Sequence, residues 1–139
     1  IFEEEDKMYQ RKIPKEFYCT VDYALDIFGG KWKPRLLCII ANDEPIRYQK
    51  LKEQMENISD TALTDSLKEL QNAGIVKRHQ FNEMPLRVEY SLTSKGETLI
   101  PVLNKISAWA IQNSSSNIYQ GKHFRQIHQK AFQTKKNGD

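Results

Sequence analysis

Apolar residues recur at helical spacing from Thr20 onward. Val21, Ala24, Leu25 and Phe28 stand at i, i+3, i+4 and i+7, the stripe of an amphipathic helix. Thr20 is placed to cap it, Asp22 suits its positive end, and Gly29-Gly30 stops it. KWKPRLLCIIAND predicts a second helix with Pro34 in its first turn. Trp32, Leu36, Leu37, Cys38, Ile39 and Ile40 leave it apolar most of the way round, as a central helix is. Asn42 to Pro45 end it. RYQKLKEQM predicts a short third helix with Tyr48, Leu51 and Met55 on one face. A tight turn, ENIS, follows, and its Ile58 is expected to be buried. Ser59 caps a longer helix, DTALTDSLKELQNAG, whose Leu63, Leu67 and Leu70 face inward. Gly74 supplies its left-handed stop.

After Gly74 the period changes from helical to alternating. Leu86, Val88, Tyr90 and Leu92 alternate with Arg87, Glu89 and Ser91, which predicts a half-buried strand. IVKRHQF is its antiparallel partner and NEMP the turn between them. Ser94-x-x-Glu97 matches a capping box. The helix it opens carries Leu99, Leu103, Ile106 and Ala110 in one stripe, with Val102 and Trp109 beside it. Pro101 inside that stretch is expected to kink it or remove a hydrogen bond. A last segment, NIYQGKHFRQIHQKAF, offers one more helix, interrupted by Gly121. The expected fold class is mainly α with a small β hairpin (α+β). The short helix, turn, longer helix and hairpin make a winged helix-turn-helix, with N- and C-terminal dimerisation helices.

A length of 139 residues fits one domain with short extensions. The division is an N-terminal arm at 1–16 contributing to dimerisation, a winged helix-turn-helix domain with its C-terminal dimer helix at 17–114, and a basic extension at 115–139. Charge sharpens that division. Residues 1–16 carry a net −1, residues 17–114 a net 0, and residues 115–139 a net +4. A neutral body binds nucleic acid only through a few well-placed cations. The basic tail also reads as a solvated terminus. Cys19 and Cys38 make no disulfide framework, and His79, His123 and His128 have no metal-ligand spacing. No apolar run is long enough for a membrane span and the first residues do not read as a secretory signal, so the expected location is cytoplasmic. No paired carboxylates, phosphate loop or nucleophile-base pair is recognisable, so neither an enzyme nor a cofactor is expected.

On the longer helix, the face opposite its leucines shows Asp60, Thr61, Thr64, Asp65 and Lys68. Threonine hydroxyls meet base edges, a threonine methyl touches thymine, and an aspartate accepts from a cytosine amine. Lys68 reaches a phosphate. Asp60 is better suited to the helix dipole than to DNA. Cations flank this face: Arg47 and Lys50, with the neutral Gln49 between them, open the short helix, where backbone N–H groups also favour phosphate. Arg78 and an outward Arg87 stand on the hairpin. Such contacts position a reader without carrying sequence information. Double-stranded DNA is therefore the expected partner.

GGKWKPRLL, RYQKLKEQMENISDTALTDSLKELQNAGIVKR and PLRVEYSLTSKG together resemble the HxlR-type regulators, relatives of the MarR-like winged helices. The likeness covers about residues 19–112. It implies a homodimer on a near-palindromic operator. The implied interface residues here are Leu99, Val102, Leu103, Ile106 and Trp109, with Tyr9, Ile13 and Phe17 from the N-terminal side. It points to Ser59, Thr61, Thr64 and Lys68 on the reading helix and Arg87 on the wing. This chain departs from the pattern in having Thr61 and Asp65 where relatives often carry basic or amide side chains, so no operator sequence carries over. The resemblance also makes Cys19 a candidate redox or electrophile sensor, with an oxidant or small molecule as unidentified effector. A thiol at a helix N-terminus is a stronger acid than a free one. An inert cysteine is the alternative there, and Cys38 reads as core. The competing function is a winged-helix protein-interaction module without sequence-specific DNA binding.

Overall fold

The computed structural model describes residues 16–115. Tyr9, Ile13 and the expected tail helix lie outside the described residues. The order is α1 (Thr20–Phe28), α2 (Lys33–Asp43), β1 (Ile46–Arg47), α3 (Tyr48–Met55), α4 (Asp60–Asn72), β2 (Val76–Phe81), β3 (Arg87–Leu92), α5 (Ser94–Glu97) and α6 (Ile100–Gln112).

Helix α2 is the centre of the core. Leu36, Leu37, Ile39 and Ile40 are all fully buried, and the helix touches α3, α4, α6 and β3. Its apolar circumference is what allows it to be packed on several sides at once. Around it, Leu51 and Met55 of α3, Ile58 of the turn and Leu63, Leu67 and Leu70 of α4 close one continuous cluster. Arg35 of α2 donates to the Met55 carbonyl at 2.7 Å, satisfying an otherwise unpaired helix-end acceptor. The helix-turn-helix corner is thus held from inside by α2. Helix α4 starts as expected, with Ser59 Oγ accepting from the Ala62 N–H at 3.0 Å. It stops at Gly74, whose φ of +75° is open to a residue without Cβ. The Ile75 N–H then donates back to the Leu70 carbonyl at 2.9 Å, the six-to-one bond of a Schellman stop.

Several expectations are corrected. Cys19, not Thr20, holds the cap position of α1, and no side chain caps that helix. The α1 stripe is rotated: Ala24, Ile27 and Phe28 meet the core, while Val21 and Leu25 point outward at 60% and 49% exposure. Thr93, not Ser94, caps α5, its Oγ1 accepting from the Gly96 N–H at 2.9 Å. The single C-terminal helix is two helices. The chain breaks at Thr98–Leu99, and Pro101 lies in the first turn of α6, where its missing N–H costs nothing. Leu86 is in the loop before β3 and exposed, because the strand begins one residue later than its alternation suggests.

The sheet has three strands in the order β1-β3-β2, all antiparallel. In the hairpin, Val76 stands opposite Leu92 and Phe81 opposite Arg87. The unexpected strand is β1, which sets Ile46 against Tyr90 and Arg47 against Glu89. Two residues are too few to display a period. Gly96 explains the tight junction between α5 and the sheet, since a Cβ there would lie 2.1 Å from the Ile75 carbonyl oxygen.

Candidate nucleic-acid interface

The two helices of the corner present one polar surface on the side away from the core. Thr61, Asp65 and Lys68 of α4 are exposed and Thr64 is half-buried. Their spacing of three or four residues places them on one face. At the start of α3, Arg47, Gln49 and Lys50 are exposed beside the first turn of the helix. The heads of the two helices are tied to each other through Asp60, to Tyr48 and Lys52, and the Ser59 side chain is occupied as the α4 cap.

Asp60 is tied to α3. Its Oδ1 accepts from the Tyr48 hydroxyl at 2.8 Å and pairs with Lys52 Nζ at 2.9 Å. Hydrogen bonding from Lys52, and then from Tyr48, holds its carboxyl below the usual aspartate range. The negative charge at the head of α4 is thereby offset by an adjacent cation. Sequence reasoning missed this tie, although Tyr48 and Lys52, one turn apart on α3, gave a signal for it.

On the wing, Arg87 is half-buried rather than outward. Its guanidinium lies 3.8 Å above the Phe81 ring, pairs with Glu83 at 3.1 Å and comes within 4.0 Å of Glu89. The ring contact favours a partly desolvated cation. These contacts brace the hairpin from inside and share the charge among two carboxylates. The exposed basic groups of the wing are instead Lys77, Arg78 and His79 on the edge strand β2.

The implied interface residues separate into two groups. Leu103 is buried in the core of its own chain at 6% exposure, and Leu99 packs against that core. This corrects the expectation for Leu103, which α6 turns onto its own core. Val102, Ile106 and Trp109 face outward at 43%, 49% and 67% exposure. With Lys105 they line an open groove of about 360 Å³. Phe17 meets the Tyr23 ring edge-on at 5.4 Å between centroids.

The cysteines also differ. Cys19 is exposed at the cap of α1. Cys38 lies against the core, and burial pushes its thiol from 9.0 up to about 11. The thiolate is the reactive form. Brief treatment with iodoacetamide at pH 8 is therefore expected to alkylate Cys19 and spare Cys38, read by mass spectrometry of peptides. Equal labelling would show that Cys38 is not shielded.

A family model described as HxlR-like helix-turn-helix matches residues 27–118. The chain belongs to that family. It is an HTH-type transcriptional regulator of the MarR-like kind, and not an enzyme. An uncharacterised HTH-type transcriptional regulator of Halalkalibacterium halodurans is 42% identical over 108 residues, which is 78% of this chain and 96% of that protein. A MarR-family regulator structure from Porphyromonas gingivalis W83 is similar at a TM-score of 0.66 with 39% identity, covering 75% of this chain and all of that one. The oxidised form of the redox regulator HypR is similar at a TM-score of 0.65 with 35% identity, covering 70% of this chain and 99% of that one. Among the described residues of this HxlR-like chain, no helix is long and apolar enough to cross a membrane. No cluster of metal-ligating side chains occurs among them either.

Proposed function

We propose that the chain binds a near-palindromic DNA operator as a homodimer, with α4 in the major groove. The observation that carries this is the exposed face of α4, Thr61, Asp65 and Lys68, bordered by Arg47, Gln49 and Lys50 at the head of α3. Thr61, Thr64 and Asp65 choose sequence; Lys68, Arg47, Gln49 and Lys50 hold phosphates. The β2 edge, with Lys77 and Arg78, supplies the wing contact, and Arg87 acts by holding the hairpin in shape. The outward residues of α6, joined by Val21 and Leu25 of α1, supply the apolar surface of the dimer.

Gel shift with fragments of the gene's own and adjacent promoters tests this reading. Specific duplexes are expected to be retained at moderate salt. Lys50→Ala is expected to weaken all duplexes alike and to lower the salt slope of the dimer by about two, one for each protomer. Retention of no duplex above the nonspecific level sinks the proposal. A protein partner bound without salt-dependent DNA affinity would select the interaction-module reading instead.

Control by oxidation at Cys19 is the second part of the proposal. Its support is the exposed thiol at the head of α1 and the likeness to a redox regulator. Two Cys19 thiols, one from each protomer, would give up two protons and two electrons to an oxidant such as hypochlorite and form one disulfide. Oxidant is expected to yield a covalent dimer on a non-reducing gel and to change operator binding. The same response from Cys19→Ser removes Cys19 from the mechanism.

A further inference from the structure

Asp60 is the first residue of α4 and stands directly before Thr61, at the end of a recognition helix that meets base edges. A single atom of it serves two partners. Oδ1 accepts from the Tyr48 hydroxyl at 2.8 Å and pairs with Lys52 Nζ at 2.9 Å. Those partners lie one turn apart on α3, so the carboxylate is fixed from two points. Asp60 is exposed and Lys52 half-buried, and a surface ion pair adds little to stability. What the pair changes is the charge offered to DNA. Residues 17–114 carry a net 0, so each cation at the corner matters. Arg47, Lys50 and Lys68 are exposed there; Lys52, at the very head of α4, is matched by Asp60.

We propose that Asp60 is a positioning residue that limits sequence-independent binding: it holds the Lys52 ammonium away from phosphate. This rests on the placement of α4 in the major groove. Phosphates are the same on every duplex, so one more phosphate contact would strengthen binding everywhere and distinguish no operator. With Lys52 withheld, a larger share of the affinity falls to the base edges that Thr61, Thr64 and Asp65 meet. Asparagine is the clean substitution at this position. It keeps the shape and an acceptor for the Tyr48 hydroxyl, and removes only the charge that holds Lys52.

The test is fluorescence anisotropy of a labelled duplex of random sequence, titrated with the full chain between about 50 and 200 mM salt. Wild type, Asp60→Asn, Lys52→Met and the double variant are compared. Asp60→Asn is expected to tighten binding several-fold at the lowest salt and to steepen the salt slope by about one for each protomer. The same change made beside Lys52→Met is expected to leave the slope where Lys52→Met alone puts it, since no ammonium is left to reach a phosphate. An unchanged slope in Asp60→Asn overturns the proposal. Equal steepening with and without Lys52 overturns it too, because Asp60 would then act by its own repulsion of DNA. A wild type that retains no operator in the gel shift overturns the placement of α4 and this proposal with it. An operator retained with no change of slope in Asp60→Asn overturns this proposal alone.

Discussion

Ile106→Glu is expected to convert the proposed homodimer to monomers and to weaken operator binding by about 100-fold or more. Ile106 stands mid-way along the outward face of α6 between Val102 and Trp109. In a dimer this position would be covered by the partner, and a glutamate there would lose its water with no cation promised in exchange. Burying an unpaired carboxylate outweighs the gain from the small apolar areas around it. The chain itself should fold normally, since Ile106 is outside its own core. The loss on DNA follows because two half-sites are held together only while the protomers are. Light scattering would give the mass and gel shift the affinity. A variant that remains dimeric and binds fully would remove α6 from the interface. Leu103→Ala is the contrasting change, expected to lower stability first because Leu103 is core.

The second large effect is expected from Gly96→Ala. The added methyl would stand 2.1 Å from the Ile75 carbonyl oxygen and 3.1 Å from its carbon. The obstacle is backbone, so no rotamer change relieves it. Helix α5 would have to move away, stretching the Thr93 N–H bond to the same carbonyl, now 3.0 Å. It would also disturb the cap that Thr93 gives to Gly96. Overpacking of this kind costs about 3 kcal/mol, and a chain of this length should lose on the order of 10 °C in melting temperature. Calorimetry or circular dichroism measures it; an unchanged melting curve would mean that the junction is looser than drawn. This glycine closes the TSKG run on which the family likeness partly rested, and its reason is steric.

The helices were legible because their burial is periodic and their ends are marked. Leu63, Leu67 and Leu70 spelled the inner face of α4, and Ser59 and Gly74 its limits. Three kinds of feature were not legible. Strand β1 has only two residues, so no alternation exists to be seen. Capping signals next to one another compete: Thr93 beside Ser94 left the choice to the backbone. Alternation shows which face a residue starts from, not where a long side chain bends. Arg87 read as an outward cation by alternation, but Glu83 and Glu89 are brought to it by the hairpin, along with the Phe81 ring across the strands. The same limit applied to α1 and α6, where an apolar stripe shows that residues are covered without showing by what.

Strand β1 has a mechanical consequence. Its two residues tie the entrance of α3 directly to β3, Ile46 opposite Tyr90 and Arg47 opposite Glu89. The wing therefore does not swing on a tether. It is clamped to the same body as the two helices of the corner, as the jaws of a calliper share one frame. A duplex engaging both must offer its major-groove edge and the neighbouring backbone at a preset separation. Sequences whose grooves already match that gap, or yield to it at low cost, would be favoured even at base pairs no side chain touches.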